Sequence, residues 1–231
     1  MSRIYLASSV FRSQAFDLRQ TVRAAVWYRF AGVQLYLSRD LLVSEFYLKQ
    51  VRDVAAQARL KVLLHLPDDF DDFYLPAAEI LLSRQKEKNL VVHFFPGMQI
   101  PRWPGMVWGL ENAFSGRDEM YFNELARIVA ERKGFLVFDI PRLFALPVAH
   151  REDLAAFTRG VLKKMGSGDV LHLVDFRGDD PSRRTWCVLG EGNMGLFQEE
   201  IGSFPGAIVF EYENLKMALK SRATLEVWKN P

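Results

Sequence analysis

Met106-Val107-Trp108-Gly109-Leu110-Glu111-Asn112 is an apolar run that stops on a carboxylate and then breaks into polar loop. A short buried strand is the natural reading. A bare carboxylate at the mouth of such a strand is costly unless something pairs with it. Three other apolar runs stop on the same class of residue: Phe135 to Ile140 at Asp139, Asp169 to Asp175 at His172 (with Asp175 beyond it), and Ala207 to Glu211 at Glu211. Strand, then ligand-type side chain, then loop and helix is the pattern that organises the chain.

Upstream of that stretch the same alternation runs back to the N-terminus. Ile4 to Val10, Gly32 to Leu37, Lys61 to Pro67 and Asn89 to Phe95 fit strands one to four. Between them, Phe16 to Phe30, a segment from Ser44 to about Arg59, and Leu75 to Lys88 carry helical spacing, with Ser44 a plausible N-cap. One connection departs from the rule. Met98 to Gly105, between strands four and five, is short and holds Pro101 and Pro104, so no helix fits there. Downstream, Ser115 to Arg132, Arg151 to Met165, a short segment from Leu196 to Ile201 and a last segment opening at Leu215 read as helices. Eight near-continuous apolar strands joined by helical crossovers imply a parallel sheet covered by helices. The fold expected is α/β, a closed (β/α)8 TIM barrel spanning residues 1–231 as a single domain, with the helix after strand four missing or shortened. An open doubly wound sheet is disfavoured, because no Gly-rich phosphate loop follows the first strand.

The bulk numbers limit the function classes. Of 231 residues, 49% are hydrophobic and 25% charged, and the formal net charge is +2. No strong field draws the protein to nucleic acid or to an acidic membrane, and no apolar run is long enough to span a bilayer. A single cysteine, Cys187, excludes an intramolecular disulfide and makes a reducing cytoplasm the expected compartment. The oligomeric state is left open, a homo-oligomer included.

Active sites of such barrels lie at the C-terminal ends of the strands. The residues there are His65, His93, Glu111, Asp139, His172, Asp175 and Glu211 on strands three to eight. Imidazoles and carboxylates converging from adjacent strands suit a divalent metal such as Mn, Mg, Co or Zn.

Leu110-Glu111-Asn112, Phe138-Asp139-Ile140-Pro141, His172 to Gly178, Leu189-Gly190-Glu191-Gly192 and Val209-Phe210-Glu211, in that order, resemble the signature of the xylose-isomerase-like TIM barrel superfamily. That group holds sugar isomerases, epimerases and the endonuclease IV type of abasic-site nuclease. The resemblance implies one divalent metal held by Glu111, Asp139, His172 and Glu211. It implies proton transfer beside a carbonyl, with the metal chelating substrate oxygens and stabilising an enediolate, and with Glu111 and Glu211 as base and acid. The implied substrate is a small sugar, polyol or hydroxy-keto acid. His65, Arg142, Arg177 and Trp186 are the candidates for contacting it.

The chain departs from the pattern at several places. Arg142 stands where the family commonly has a histidine three residues after the strand-six aspartate. The nuclease branch has a histidine at the position of Phe95 and an Asp-x-His at Arg184 to Trp186, so the extra metals of a nuclease are unsupported and no nucleic-acid partner is expected. Each candidate has a plainer alternative. Asp139 pairs with Arg142 as an ordinary ion pair, His65 and His93 pack in the core, and Trp103 and Trp186 pack loops. Arg177 pairs on the surface, Asp68 to Asp72 is a solvated turn, Gly190 to Gly192 is a tight turn, and Cys187 is inert. A barrel that binds a small molecule or protein partner without catalysis is therefore the rival of the isomerase reading. A closed Asp139–Arg142 pair that occupies the metal position would decide for it.

Overall fold

The computed structural model describes residues 3–113, 119–143, 151–178 and 184–230. Eight strands close into a parallel barrel: β1 (Arg3–Ala7), β2 (Gly32–Tyr36), β3 (Lys61–His65), β4 (Lys88–Phe94), β5 (Met106–Asn112), β6 (Phe135–Asp139), β7 (Val170–Leu173) and, after the two short strands of an excursion, β10 (Ala207–Phe210). β1 closes the ring by pairing with both β10 and β2. The excursion is an antiparallel pair, β8 (Asp175–Arg177) with β9 (Thr185–Cys187).

The helices form where the sequence offers caps and an apolar stripe. α1 (Leu18–Trp27) starts at Asp17, whose carboxylate accepts from Gln20 N, and buries Leu18, Val22 and Ala25. α2 (Glu45–Gln57) starts at Ser44, as expected, and buries Leu48, Val51 and Ala55. α3 (Leu75–Leu82) is shorter than the spacing suggests. The chain leaves the helix so that the Gln85 amide can bond Leu60 O and Val62 N at the entry to β3. α4 (Glu119–Glu131), α5 (Ile140–Leu143), α6 (Arg151–Lys164), α7 (Gln198–Ser203) and α8 (Leu215–Lys229) complete the set. Ser115, Asp118 and His150 lie outside the described residues.

Between β4 and β5 there is no helix, as the prolines require. Aromatic packing covers that sector instead. Trp103 from the loop and Trp108 from the outer face of β5 are each 5% exposed, with ring centroids 5.3 Å apart. Phe70 stacks against both, and Trp103 Nε1 donates to Asp72. This fixes Trp103 as packing rather than as the wall of a pocket.

Strand seven stops sooner than expected, at Leu173. The carboxylate of Asp175 accepts four backbone N–H groups, from Phe176, Gly190, Gly192 and Met194, at 2.7–3.0 Å. The chain turns out of the barrel to make those bonds. Gly190 has a φ of +87°, and a Cβ on Gly192 would lie 2.3 Å from Phe176 O, so this tight turn needs both glycines.

Inside the barrel, side chains alternate with period two. Tyr5, Ala7, Leu63, Val91, Val107, Phe135, Val137, Val170, Ala207 and Val209 form the inner apolar cluster. Gly109 belongs to the same face, since a Cβ there would sit 2.2 Å from the Phe135 ring. One step beyond, at the C-terminal ends, the same inward parity delivers Gln34, His65, His93, Glu111, Asp139, His172 and Glu211.

Candidate active site at the barrel mouth

The register explains the convergence. His93 lies directly opposite Glu111 across β4–β5, and Asp139 opposite His172 across β6–β7. Glu111 is 0% exposed and is the hub. Its Oε2 is 2.9 Å from His65 Nε2 and 3.3 Å from His172 Nδ1; its Oε1 is 2.7 Å from Arg142 Nε and 3.5 Å from His93 Nε2. Burial alone pushes the Glu111 carboxyl up, but His172, His65 and His93 outweigh it and hold the group well below the ordinary carboxylate range.

Asp139 is set in place by Asn112, whose side-chain amide pairs reciprocally with the Asp139 backbone at 2.7 and 2.9 Å. The Asp139 carboxylate caps α5: Oδ1 accepts from Arg142 N at 2.9 Å, and Oδ2 accepts from Arg142 Nε at 3.1 Å. Burial pushes Asp139 up to about 6 even with the Arg142 guanidinium beside it. The Asp139–Arg142 ion pair foreseen as the plainer alternative is therefore present, and it extends to Glu111.

Gln34, on β2, ties the far side together. Its Nε2 donates to Glu211 Oε1 at 2.7 Å, and its Oε1 is 2.8 Å from His172 Nε2. A carboxylate only accepts, so the Gln34 amide must present nitrogen to Glu211 and oxygen to His172. His172 must then carry its hydrogen on Nε2. In the neutral ring the Nδ1 lone pair points between Glu111 Oε2, at 3.3 Å, and Glu211 Oε1, at 3.4 Å. Nδ1 is buried without a hydrogen-bond partner. A lone pair facing two carboxylates is repulsive, and either a proton on Nδ1 or a metal ion between the three groups relieves it. Burial disfavours charge on this ring, but Glu211 and Glu111 outweigh that and push His172 up to about 9.

The donor set therefore fits a divalent ion. Two groups, His65–His93–Glu111 and Glu111–Asp139–His172, each bring three ligand atoms within 4.8 Å of one another, and Glu111 belongs to both. Nitrogen and carboxylate oxygen in this mixture suit a borderline or hard divalent metal.

Above these residues lies a cavity of about 540 Å³. His65, His93, Asp139, Arg142 and Glu211 form its floor, while Tyr36, Arg184 and Trp186 stand on its walls. Glu111 and His172, at 0% and 1% exposure, lie beneath that floor. Of the residues expected from sequence to meet a substrate, His65, Arg142 and Trp186 line the cavity. Arg177 lies away from it, its guanidinium on Glu191. Cys187 is buried, and burial pushes its thiol up to about 11, which leaves it a poor nucleophile.

The sequence places His93 at a strand end but favours core packing for it, and it does not mark Gln34; the structure puts both in the cluster. In strands buried on both faces, hydrophobicity does not mark which residues point inward. Parity with Glu111 through the paired register is the signal that finds His93.

Neither a protein-family model nor a curated protein matches the sequence. Solved structures match at the level of fold. A D-tagatose 3-epimerase-like protein superposes with a TM-score of 0.64 over 98% of this chain and 97% of that one, at 17% identity. A xylose isomerase-like TIM barrel protein from Mycobacterium smegmatis, solved with magnesium, gives 0.64 over 99% and 97%, at 16% identity. A probable 3-DHS dehydratase from Bacillus anthracis gives 0.62 over 100% and 99%, at 15% identity.

Proposed function

We propose that this chain, which has the fold of the xylose isomerase-like TIM barrels, is a metal-dependent isomerase or epimerase of a small sugar, polyol or hydroxy-keto acid. The observation that carries the reading is the convergence of His172 Nδ1 with the Glu111 and Glu211 carboxylates on one buried point, while Gln34 holds the His172 Nε2 side. The epimerase relatives by fold, one of them solved with D-tagatose, support the substrate class.

A divalent ion held by Glu111, Asp139, His172 and Glu211 would supply Lewis-acid polarisation of a substrate carbonyl. The protein's own groups do the rest. Glu211, its side chain 22% exposed, reaches the cavity and is the proposed proton carrier at the substrate carbon. Glu111 lies too deep to touch the substrate and is proposed as a ligand, which divides the roles that the resemblance gives to both glutamates. Gln34 steadies Glu211 and His172 together. His65 and Trp186 supply polar and flat apolar surface for a hydroxylated substrate.

The test is deuterium exchange. Metal-loaded protein in D2O, offered ketopentoses, ketohexoses and hydroxy-keto acids, is expected to wash deuterium into the carbon beside the carbonyl of one class. Glu211→Gln is expected to slow that exchange by roughly 10²–10⁴-fold. No exchange with any class, with metal demonstrably bound, would refute the assignment.

A non-catalytic binding barrel is the second reading. The engagement of both Asp139 carboxylate oxygens by Arg142 favours it. Failure of the wild-type protein to bind any divalent ion would select it over the first.

A further inference from the structure

Arg142 touches both candidate ligand groups at once. Its Nε lies 2.7 Å from Glu111 Oε1 and 3.1 Å from Asp139 Oδ2, and one terminal nitrogen lies 2.7 Å from His93 Nε2. α5 fixes the base of the side chain, because the Arg142 backbone N–H is itself bonded to Asp139. We infer that the Arg142 guanidinium is a built-in cation filling one of two adjacent cation positions, so that the site accepts one divalent ion where its donor set would otherwise accept two.

The two histidines show why the positions differ. A guanidinium has only donors, so His93 Nε2 must accept from Arg142. The ring hydrogen of neutral His93 is then on Nδ1, facing the carboxylate of Asp68. The lone pair that a metal would need from His93 is already taken. His172 has the opposite arrangement: Gln34 engages its Nε2, and Nδ1 faces the Glu111–Glu211 side, where a proton or a metal ion is the cation it can meet. Glu111 divides accordingly, with Oε1 on Arg142 and Oε2 toward His172 and His65. Charge follows the same logic. Glu111, Asp139 and Glu211 bring three negative charges; one guanidinium and one divalent ion balance them, whereas two divalent ions beside Arg142 overshoot. Two like cations a few ångströms apart also repel strongly in a buried site.

The inference rests on the metal reading for the occupied position and adds to it a fixed count. Mn²⁺ is the probe, titrated into metal-free wild type, Arg142→Ala, Arg142→Gln, and Arg142→Ala combined with His93→Ala, with bound ions counted by calorimetry and by electron paramagnetic resonance. One ion is expected in the wild type and two, magnetically coupled, in either single variant, with a return to one when His93 is also removed. Two ions in the wild type would overturn the inference, whether or not the variants fold. So would one ion in wild type, Arg142→Ala and Arg142→Gln alike. An ion bound by the variants and none by the wild type would uphold the role of Arg142 while sinking the metal-dependent function. No ion in any of the four would sink both.

Discussion

Gln34 sets the direction of the His172 ring, and through it the chemistry open to the site. Its amide spans from Glu211 to His172 with both ends committed, which leaves the imidazole one tautomer when neutral. Outer hydrogen bonds of this kind typically govern ligand affinity by about 10–100-fold. Gln34→Leu is therefore expected to weaken Mn²⁺ binding by roughly that factor. Gln34→Glu puts an acceptor against Glu211 and is expected to weaken it at least as much. A Gln34→Leu protein with wild-type affinity would show that His172 is aimed by something else. At this scale the sequence was legible where a polar residue ends an apolar run, as at Glu111, Asp139 and Glu211. At His93 it gave the strand end but favoured the core, and at Gln34 it gave nothing, because each lies within a strand buried on both faces and only the barrel's register tells inward from outward.

Among elements, the loop after β7 and the wall after β4 are the places where the barrel departs from simple alternation. Asp175 was read as one more strand-end ligand; the structure assigns it instead to four backbone N–H groups of the 176–194 segment. Both its oxygens are taken up by these bonds, Oδ1 by Phe176 and Met194 and Oδ2 by Gly190 and Gly192. Asp175→Ala leaves several of those donors unsatisfied and is expected to cost about 3 kcal/mol or more, measured as a lowered denaturant midpoint. Loss of less than about 1 kcal/mol, the net worth of one ordinary bond, would mean that the loop does not depend on it. Across the barrel, Trp103 in the β4–β5 connection and Trp108 on β5 cover the sector where the helix is absent. Trp103→Ala is expected to destabilise by about 3–5 kcal/mol and to leave the ion count unchanged, since its ring packs on Phe70 and Trp108 rather than on the cavity. A change in ion count without loss of stability would contradict that division. The proline-bearing connection made the missing helix readable from sequence, because Pro101 and Pro104 forbid it; the aromatic cover was not readable, because it depends on which side of β5 Trp108 faces.

At the scale of the whole molecule, parallel closure carries one inward residue from each of seven strands to a single mouth, six of them titratable and the seventh the glutamine that orders them. The strand count and the parallel sense were legible, since every apolar run but strand four leads into a helical crossover too long for a hairpin. The balance of charge inside the mouth was not, because it arises only when Arg142, on α5 after β6, folds back over Glu111 on β5. That balance decides between an enzyme and a binding barrel. A crystal of the protein soaked in Mn²⁺ and measured at the manganese edge tests it most directly. The account predicts one anomalous peak within bonding distance of Glu111, Asp139, His172 Nδ1 and Glu211, with Arg142 still paired to Asp139. No peak at the mouth, or a peak bound through His93 with Arg142 displaced, would contradict it.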